Sequence, residues 1–188
     1  MFKRMLAALL AAFFMLSAAA QAEYFGSEPQ EEVYVVQSVK HTCTLIAATM
    51  MLRNYASRNG YDVETMTESA VRSCAWNSSG LSWNFTVNSI NVQVAHEISE
   101  TADKKAYLIH VLRSHPEGVV IYDANAPHAI WLFGYEEETD TFYCADTTTS
   151  VAGRCIRLEE SILRGETQED KIATIDRIWC VVRPNTTV

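Results

Sequence analysis

The segment Gln37–Tyr55, QSVKHTCTLIAATMMLRNY, places a cysteine where a polar, extended run changes into an amphipathic helix. Thr42 stands at the N-cap position, and from Cys43 onward apolar residues recur at helical spacing until Asn59-Gly60 ends the helix. The macrodipole of a helix favours negative charge at its first turn, so this position predicts a lowered pKa for the Cys43 thiol. The alternative is that Cys43 is a small buried residue beneath the helix, which is the commoner role of an isolated cysteine.

The N-terminus predicts a secretory signal peptide. Two basic residues precede the uninterrupted apolar run Met5–Leu16, and Ala20-Gln21-Ala22 has the small-x-small form of a cleavage site. We therefore expect residues 1–22 to be removed and residues 23–188 to form a single domain that is periplasmic or secreted. No cysteine follows the apolar run to carry a lipid, and no later apolar segment is long enough for a bilayer, so we expect no stable membrane anchor.

The charge of the chain argues against one class of partner. The 188 residues carry a formal net charge of −8, and removal of the basic signal-peptide residues makes it more negative. Nucleic-acid phosphates require lysine and arginine, so we expect no nucleic-acid partner. The sequence leaves the oligomeric state open.

The five cysteines are an odd number for a protein in an oxidising compartment, which predicts one unpaired thiol. We expect Cys43 to be the unpaired one. The other four allow three pairings, among which the sequence does not decide. The pairing we favour joins Cys144 to Cys155 across a hairpin-like loop and Cys74 to Cys180. A disulfide at Cys43, with another cysteine free, is the alternative.

Helical patterns dominate the first part of the chain. After the helix at Cys43, Thr65–Trp76 reads as a second helix, capped by Thr65 or Thr67, and Lys104–His115 as a third. Thr86–Glu97 is ambiguous between helix and strand. The sequence therefore predicts helices before the main strands.

Short apolar and aromatic runs follow, and they predict a strand meander. The predicted strands are Val119–Tyr122, Ala129–Tyr135, Thr141–Ala145 and a final Ile178–Val182. Thr147–Gly153 reads as a polar loop and Leu158–Leu163 as a short helical turn. Helices followed by antiparallel strands indicate an α+β fold rather than alternating βαβ units.

Three further residues complete a candidate site with Cys43. His128 begins an apolar strand and is placed to act as the base for a thiolate. Asp146 ends the next strand 18 residues later, so strand pairing brings it to the imidazole, which it would orient. Gln37, six residues before Cys43, can donate its amide to an oxyanion beside the Cys43 N–H.

Each of these signals has a plainer explanation. A single histidine at the start of a strand is usually structural, and Asp146 could be an ordinary turn residue. Asp123 is a second carboxylate near His128 and is the alternative orienting group, although it precedes the loop that leads to the histidine. The order of the four residues along the chain, rather than any one of them, favours the site.

Several segments resemble papain-like bacterial cysteine peptidases related to the family that processes double-glycine leaders, as in bacteriocin maturation. The matching segments are Gln37, Cys43 and Asn54-Tyr55, then LIHVLRSHPEGVVIYD (108–123), HAIWLFGY (128–135) and FYCADT, which contains Asp146. The resemblance covers roughly residues 33 to 146 and is clearest in the histidine strand.

The resemblance implies a papain-like fold in which N-terminal helices pack on an antiparallel sheet. It implies a Cys-His-Asp peptidase with no cofactor and a peptide or protein substrate, in which Cys43, His128, Asp146 and Gln37 are the site residues. The family's Gly-Pro after the cysteine is replaced by Thr44-Leu45, and Thr147 replaces the proline after the aspartate. The missing Gly-Pro motivates the alternative function, a non-catalytic binding or accessory module.

Other candidate ligands and binding residues are weaker. His96, His110 and His115 show no metal-ligand spacing, and no Cys-x-x-Cys occurs, so we expect no metal site. Trp76 and Trp83 could line a substrate cleft, as could Trp131, for which packing in the core is the preferred interpretation.

Overall fold

An antiparallel sheet with helices on both faces organises the computed structural model, which describes residues 23–148 and 151–183. The predicted signal peptide, residues 1–22, lies outside the described residues. The helices are α1 Cys43–Arg58, α2 Glu68–Ala75, α3 Glu97–Glu100, α4 Lys104–Ser114 and α5 Gln168–Thr174. The strands are β1 Tyr24–Gly26, β2 Trp76–Asn77, β3 Gly80–Leu81, β4 Asn84–Val87, β5 Ile90–Ala95, β6 Val119–Asp123, β7 His128–Glu136, β8 Thr141–Thr148, β9 Val151–Arg157 and β10 Arg177–Val181.

The strand order in the main sheet is β4-β5-β10-β6-β7-β8-β9, and β1 pairs with the far end of β7. Every described pair is antiparallel, and β2 and β3 form a separate two-stranded ribbon. The predicted α+β class is therefore confirmed.

Helix α1 begins at Cys43 and ends at Arg58, as the apolar spacing predicts. Thr42 occupies the N-cap position, but its hydroxyl donates to the Val39 carbonyl (2.8 Å) and does not cap the helix. At the other end Gly60 has a φ of +71°, a conformation that favours glycine and stops the helix. The amides of the first turn therefore remain free to act on the Cys43 thiol.

Two hydrophobic cores lie on opposite faces of the sheet, and β7 contributes to both. Ala129, Trp131 and Phe133 face α1 and α2, whereas Ile130 and Leu132 face α4 and α5. This alternation is the period of two expected of a strand that is buried on both faces. A β-bulge between Leu132 and Gly134 shifts the phase, so that Tyr135 joins the α4 side.

Three predicted segments differ from the structure. The ambiguous segment 86–97 is mostly strand: β4 and β5 meet at Asn88-Ser89, where both residues have positive φ, as a tight hairpin turn requires. The prediction of a polar loop at 147–153 was wrong, because β8 extends to Thr148 and β9 starts at Val151.

The second helix is shorter than predicted and is preceded by a 3-10 turn, Val63–Thr65. Thr67 is its cap, accepting from the Ala70 N–H at 3.1 Å.

Neither favoured disulfide is present, since all five cysteines are free. Cys144 pairs in register with Ile156, so the adjacent Cys155 points to the opposite face of the sheet. Cys144 is buried and Cys155 is exposed, in keeping with that alternation. Cys180 is buried in the core on the α4 side, whereas Cys74 is exposed on α2, across the sheet.

In the described parts of the chain, no helix has the length and apolar character needed to cross a membrane.

Candidate active site

The Cys43 thiol lies at the first turn of α1, against the start of β7. The His128 side chain and the backbone N–H groups of Thr44 and Ala129 interact with the sulfur. Burial, the largest single influence, raises the pKa of Cys43. The hydrogen bond and charge of His128, together with the two backbone N–H groups, outweigh it, so the pKa lies below the ordinary thiol value.

His128 connects the thiol to a buried carboxylate. Its Nε2 lies 3.1 Å from Asp146 Oδ1, and Asp146 is fully buried. An ionised carboxylate only accepts hydrogen bonds, so Nε2 carries a proton and Nδ1 is the nitrogen left for Cys43. Burial lowers the pKa of His128, but Asp146 and Cys43 outweigh it and raise the pKa to about 9.

Strand pairing explains how residues 18 apart meet. In the β7–β8 pair Trp131 lies opposite Ala145, which brings Asp146 alongside the beginning of β7. The hairpin expected from the spacing of His128 and Asp146 is therefore present. Helix α1 packs across the same sheet, and its N-terminus lies beside His128. The structure thus brings Cys43, His128 and Asp146 together.

The second carboxylate oxygen of Asp146 is held by a loop that the sequence analysis did not single out. Ile162 N–H donates to Asp146 Oδ2 at 2.8 Å. The loop that contains it, Ser161–Gly165, is closed by Lys171, whose ammonium donates to the carbonyls of Ser161 (2.8 Å), Leu163 (2.7 Å) and Gly165 (2.9 Å). Lys171 is buried, and burial is the main cause of its lowered pKa. The only sequence signal for this arrangement was the Thr167–Asp170 capping box of α5, which places Lys171 on a helix.

Asp123, the alternative orienting carboxylate, has a different task. Its Oδ1 accepts from the N–H groups of Asn125 (2.8 Å) and Ala126 (3.3 Å), and Arg164 Nε donates to Oδ2 at 3.0 Å. Asp123 also pairs in register with His128 at the end of the β6–β7 hairpin. It therefore fixes the turn that leads into His128, while Asp146 makes the hydrogen bond to the imidazole.

Gln37 is buried in the segment that leads to α1. Its Nε2 donates to the Val39 carbonyl at 2.7 Å, the same carbonyl that accepts from the Thr42 hydroxyl. Its Oε1 has no hydrogen-bond partner among residues 23–148 and 151–183. Gln37 thus shapes the loop before the nucleophile, and one amide hydrogen of its Nε2 remains uncommitted.

A cleft of about 320 Å³ opens beside Cys43 on the α1 face of the sheet. Its walls contain four Trp or Tyr side chains and one arginine: the lining residues are His41, Cys43, Thr44, Trp76, Ser79, Gly80, Leu81, Trp83, Tyr122, Pro127, Arg177 and Trp179. Trp76 and Trp83 thus line it, whereas Trp131 is fully buried in the core. A cleft that combines a thiol–imidazole pair with aromatic and polar side chains can bind an organic chain and attack a carbonyl carbon within it.

Within the described residues, no group of three or more His, Cys, Asp or Glu side chains is arranged to hold a metal ion.

No family model matches this chain, and comparisons with curated proteins and with solved structures gave no significant match.

Proposed function

We propose that this protein is a papain-like thiol hydrolase that cleaves peptide bonds. The observation that carries the proposal is the placement of the Cys43 thiol against His128, whose imidazole is hydrogen-bonded to the buried Asp146, beside an open cleft. A lowered thiol pKa next to a raised imidazole pKa favours a thiolate–imidazolium pair, the reactive form of a cysteine nucleophile.

The proposed mechanism uses these groups and Gln37. The Cys43 thiolate attacks the carbonyl carbon, and the carbonyl electron pair moves to oxygen. The Cys43 N–H, which has no partner within the helix, and the uncommitted N–H of Gln37 stabilise the oxyanion. The His128 imidazolium then protonates the leaving amine. Water, deprotonated by His128, hydrolyses the thioester and regenerates the thiol.

Asp146 acts through His128 rather than on the substrate. Its hydrogen bond to Nε2 directs Nδ1 toward the thiol and stabilises the imidazolium. Because its second oxygen is held by Ile162, the carboxylate does not need to reorganise during the reaction. The signal peptide expected at residues 1–22 supports a secreted or periplasmic site of action.

A non-catalytic binding module is the second candidate. Thr44, a β-branched residue, follows the nucleophile and lines the cleft, at the position where the papain-like peptidases that the sequence resembles have glycine. A narrowed cleft of this kind would bind a peptide without placing its carbonyl carbon at the sulfur.

Alkylation of the unreduced mature protein separates the two candidates. The rate of iodoacetamide labelling at Cys43 is measured by peptide mass mapping between about pH 5 and 9, a range that spans the ordinary thiol pKa of about 8.5. A hydrolase predicts an apparent pKa below that of free cysteine, which rises in His128→Ala. Cys74, which is exposed on α2, serves as the internal reference thiol.

An apparent Cys43 pKa equal to that of free cysteine would contradict the hydrolase proposal. So would the absence of any labelling at Cys43. Hydrolysis of a mixed peptide library, assayed with the wild type and Cys43→Ala, then tests catalysis directly. Fast alkylation without any cleavage would favour the binding module.

A further inference from the structure

Arg177, the first residue of β10, lies in the same cleft as Cys43 but outside the mechanism above. It pairs in register with Tyr122 on β6. The Tyr122 phenol is close enough to both Arg177 and Cys43 to interact with them electrostatically. All three residues line one cleft, so a substrate held at Cys43 can contact Tyr122 and Arg177.

One ion pair and two aromatic rings hold the guanidinium of Arg177. Its Nε donates to Asp176 Oδ1 at 3.2 Å, and Asp176 is itself held by the Ala124 N–H at 2.7 Å. The Arg177 guanidinium carbon lies 5.0 Å from the Tyr122 ring centroid and 6.0 Å from that of Trp83. These contacts orient the group before any ligand binds.

Arg177 lines the cleft. Neither terminal nitrogen of Arg177 has a hydrogen-bond partner in the described part of the chain. Two parallel N–H groups on a planar guanidinium match the two oxygens of a carboxylate. The net charge of −8 repels anions at long range, so a preference for a carboxylate would have to come from this direct contact.

We propose that Arg177 is a specificity determinant which selects substrates carrying a carboxylate within reach of the cleft, next to apolar or aromatic groups that contact Trp83 and Tyr122. The carboxylate is either an acidic peptide side chain or a free C-terminal carboxylate. This inference rests on the proposed function, because it assumes that the cleft beside Cys43 receives the substrate.

Matched thiol-alkylating probes test the preference without requiring turnover. One pair is N-iodoacetyl-glutamic acid α-amide and N-iodoacetyl-glutaminamide, which differ in a side-chain carboxylate. The other is N-iodoacetyl-phenylalanine and N-iodoacetyl-phenylalaninamide, which differ in a terminal carboxylate. The measured quantity is the ratio of second-order labelling rates at Cys43 within each pair, divided by the same ratio for free cysteine. Taking a ratio cancels any effect of Arg177 on the thiol itself.

We expect the ratio in the wild type to favour the carboxylate by about tenfold in at least one pair, as a charge-assisted hydrogen bond allows. The pair that responds identifies the source of the carboxylate. Arg177→Gln should reduce the ratio to that of free cysteine. Arg177→Lys, which keeps the positive charge without the two parallel N–H groups, should give an intermediate ratio. Arg113→Gln is the matched control, because Arg113 also stacks on an aromatic ring, Phe25, but lies outside the cleft.

A wild-type ratio equal to that of free cysteine in both pairs would overturn the inference, as would an unchanged ratio in Arg177→Gln. Either result leaves the hydrolase proposal intact if iodoacetamide still reports a lowered pKa at Cys43. An ordinary iodoacetamide titration at Cys43 would instead remove the hydrolase proposal, whatever the ratios show.

Discussion

Two histidine–carboxylate pairs with almost the same geometry occur among the residues that the structure describes. His128 Nε2 lies 3.1 Å from Asp146 Oδ1, and His115 Nδ1 lies 3.2 Å from Glu117 Oε1. Both carboxylates are almost completely buried. Judged by the pair alone, either could be the acid–base centre of an enzyme.

The third partner distinguishes the two pairs. His128 faces the Cys43 thiol at the edge of the cleft. The carboxylate of Glu117 instead receives Arg183 Nη2 at 2.5 Å, and its backbone carbonyl accepts from Asn54 Nδ2 and Trp131 Nε1, both at 3.1 Å. The second pair therefore fastens α1, the start of β6 and the C-terminal end of β10 to one another.

The comparison shows that the role of a buried histidine–carboxylate pair depends on the group at its free side. A thiol beside a cleft suits the His128–Asp146 pair to acid–base catalysis. An arginine and backbone contacts give the His115–Glu117 pair a structural role. The following variants test that contrast in order of their expected effect on the reactivity of position 43.

Removal of the nucleophile should have the largest effect. Cys43→Ala is expected to abolish labelling at this position and to reduce peptide hydrolysis by about 10⁴-fold or more, because the attacking atom is lost. Cys74→Ala, at an exposed thiol, should leave hydrolysis unchanged. Hydrolysis that survives in Cys43→Ala would show that the activity belongs to another site.

The two histidines should respond differently to the same substitution. His128→Ala removes the hydrogen bond and the charge that lower the pKa of Cys43, so labelling at pH 6 should fall by at least about tenfold. His115→Ala should preserve the labelling rate while lowering the free energy of unfolding by about 1–3 kcal/mol, because buried polar groups lose a partner. Equal loss of labelling in both variants would indicate a general effect on folding. Urea denaturation separates these outcomes.

The two carboxylates extend the contrast to pH dependence. Asp146 stabilises the charged form of His128, so Asp146→Asn should lower the pKa of His128 from about 9 by roughly one to two units. The imidazolium is then lost at lower pH, and the pKa of Cys43 rises toward its ordinary value. The histidine C–H resonances in NMR report the first change and the alkylation profile reports the second.

Glu117→Gln is the matched control for Asp146→Asn. It should reduce stability, since Arg183 and His115 lose a charged partner, without moving the titration of His128. A shift of the His128 pKa in Glu117→Gln as large as that in Asp146→Asn would contradict the separation of the two pairs.

The smallest effect on reactivity is expected at Lys171. Lys171→Met leaves three carbonyls of the Ser161–Gly165 loop without their donor, so the Ile162 hydrogen bond to Asp146 should loosen. We expect a loss of about threefold in the labelling of Cys43 at pH 6, within the range of a weakened hydrogen bond. Lys171→Arg, which retains charged donors, should keep most of the wild-type labelling rate. Reduced stability with full reactivity in Lys171→Met would show that the loop supports the fold but does not orient Asp146.

The site residues differ in how far the sequence could place them. Cys43 was placed at a helix start by apolar spacing, and His128 and Asp146 by the lengths of two adjacent strands. Those signals are local, since each depends on residues close in the chain. The Ile162 and Lys171 contacts were not predicted, because they depend on the path of the Ser161–Gly165 loop, which tertiary packing fixes.

The strand and disulfide errors have the same origin. The segment 147–153 is polar, yet its two ends pair with each other as strands of the β8–β9 hairpin, a register that residue polarity does not reveal. The pairing of Cys144 with Cys155 failed because sequence separation does not reveal which face of a strand a side chain occupies once a register is fixed.

By itself the sequence determined the α+β class, the helix that presents Cys43 and the hairpin that brings Asp146 to His128, since periodicity and strand spacing act over short stretches of chain. Only the tertiary structure decided which of the two histidine–carboxylate pairs meets a thiol, which carboxylate orients His128, and that Arg177 shares the cleft with Cys43. Those contacts form between residues far apart in the chain, and the packing of α1, β6, β7 and β10 around one sheet fixes them.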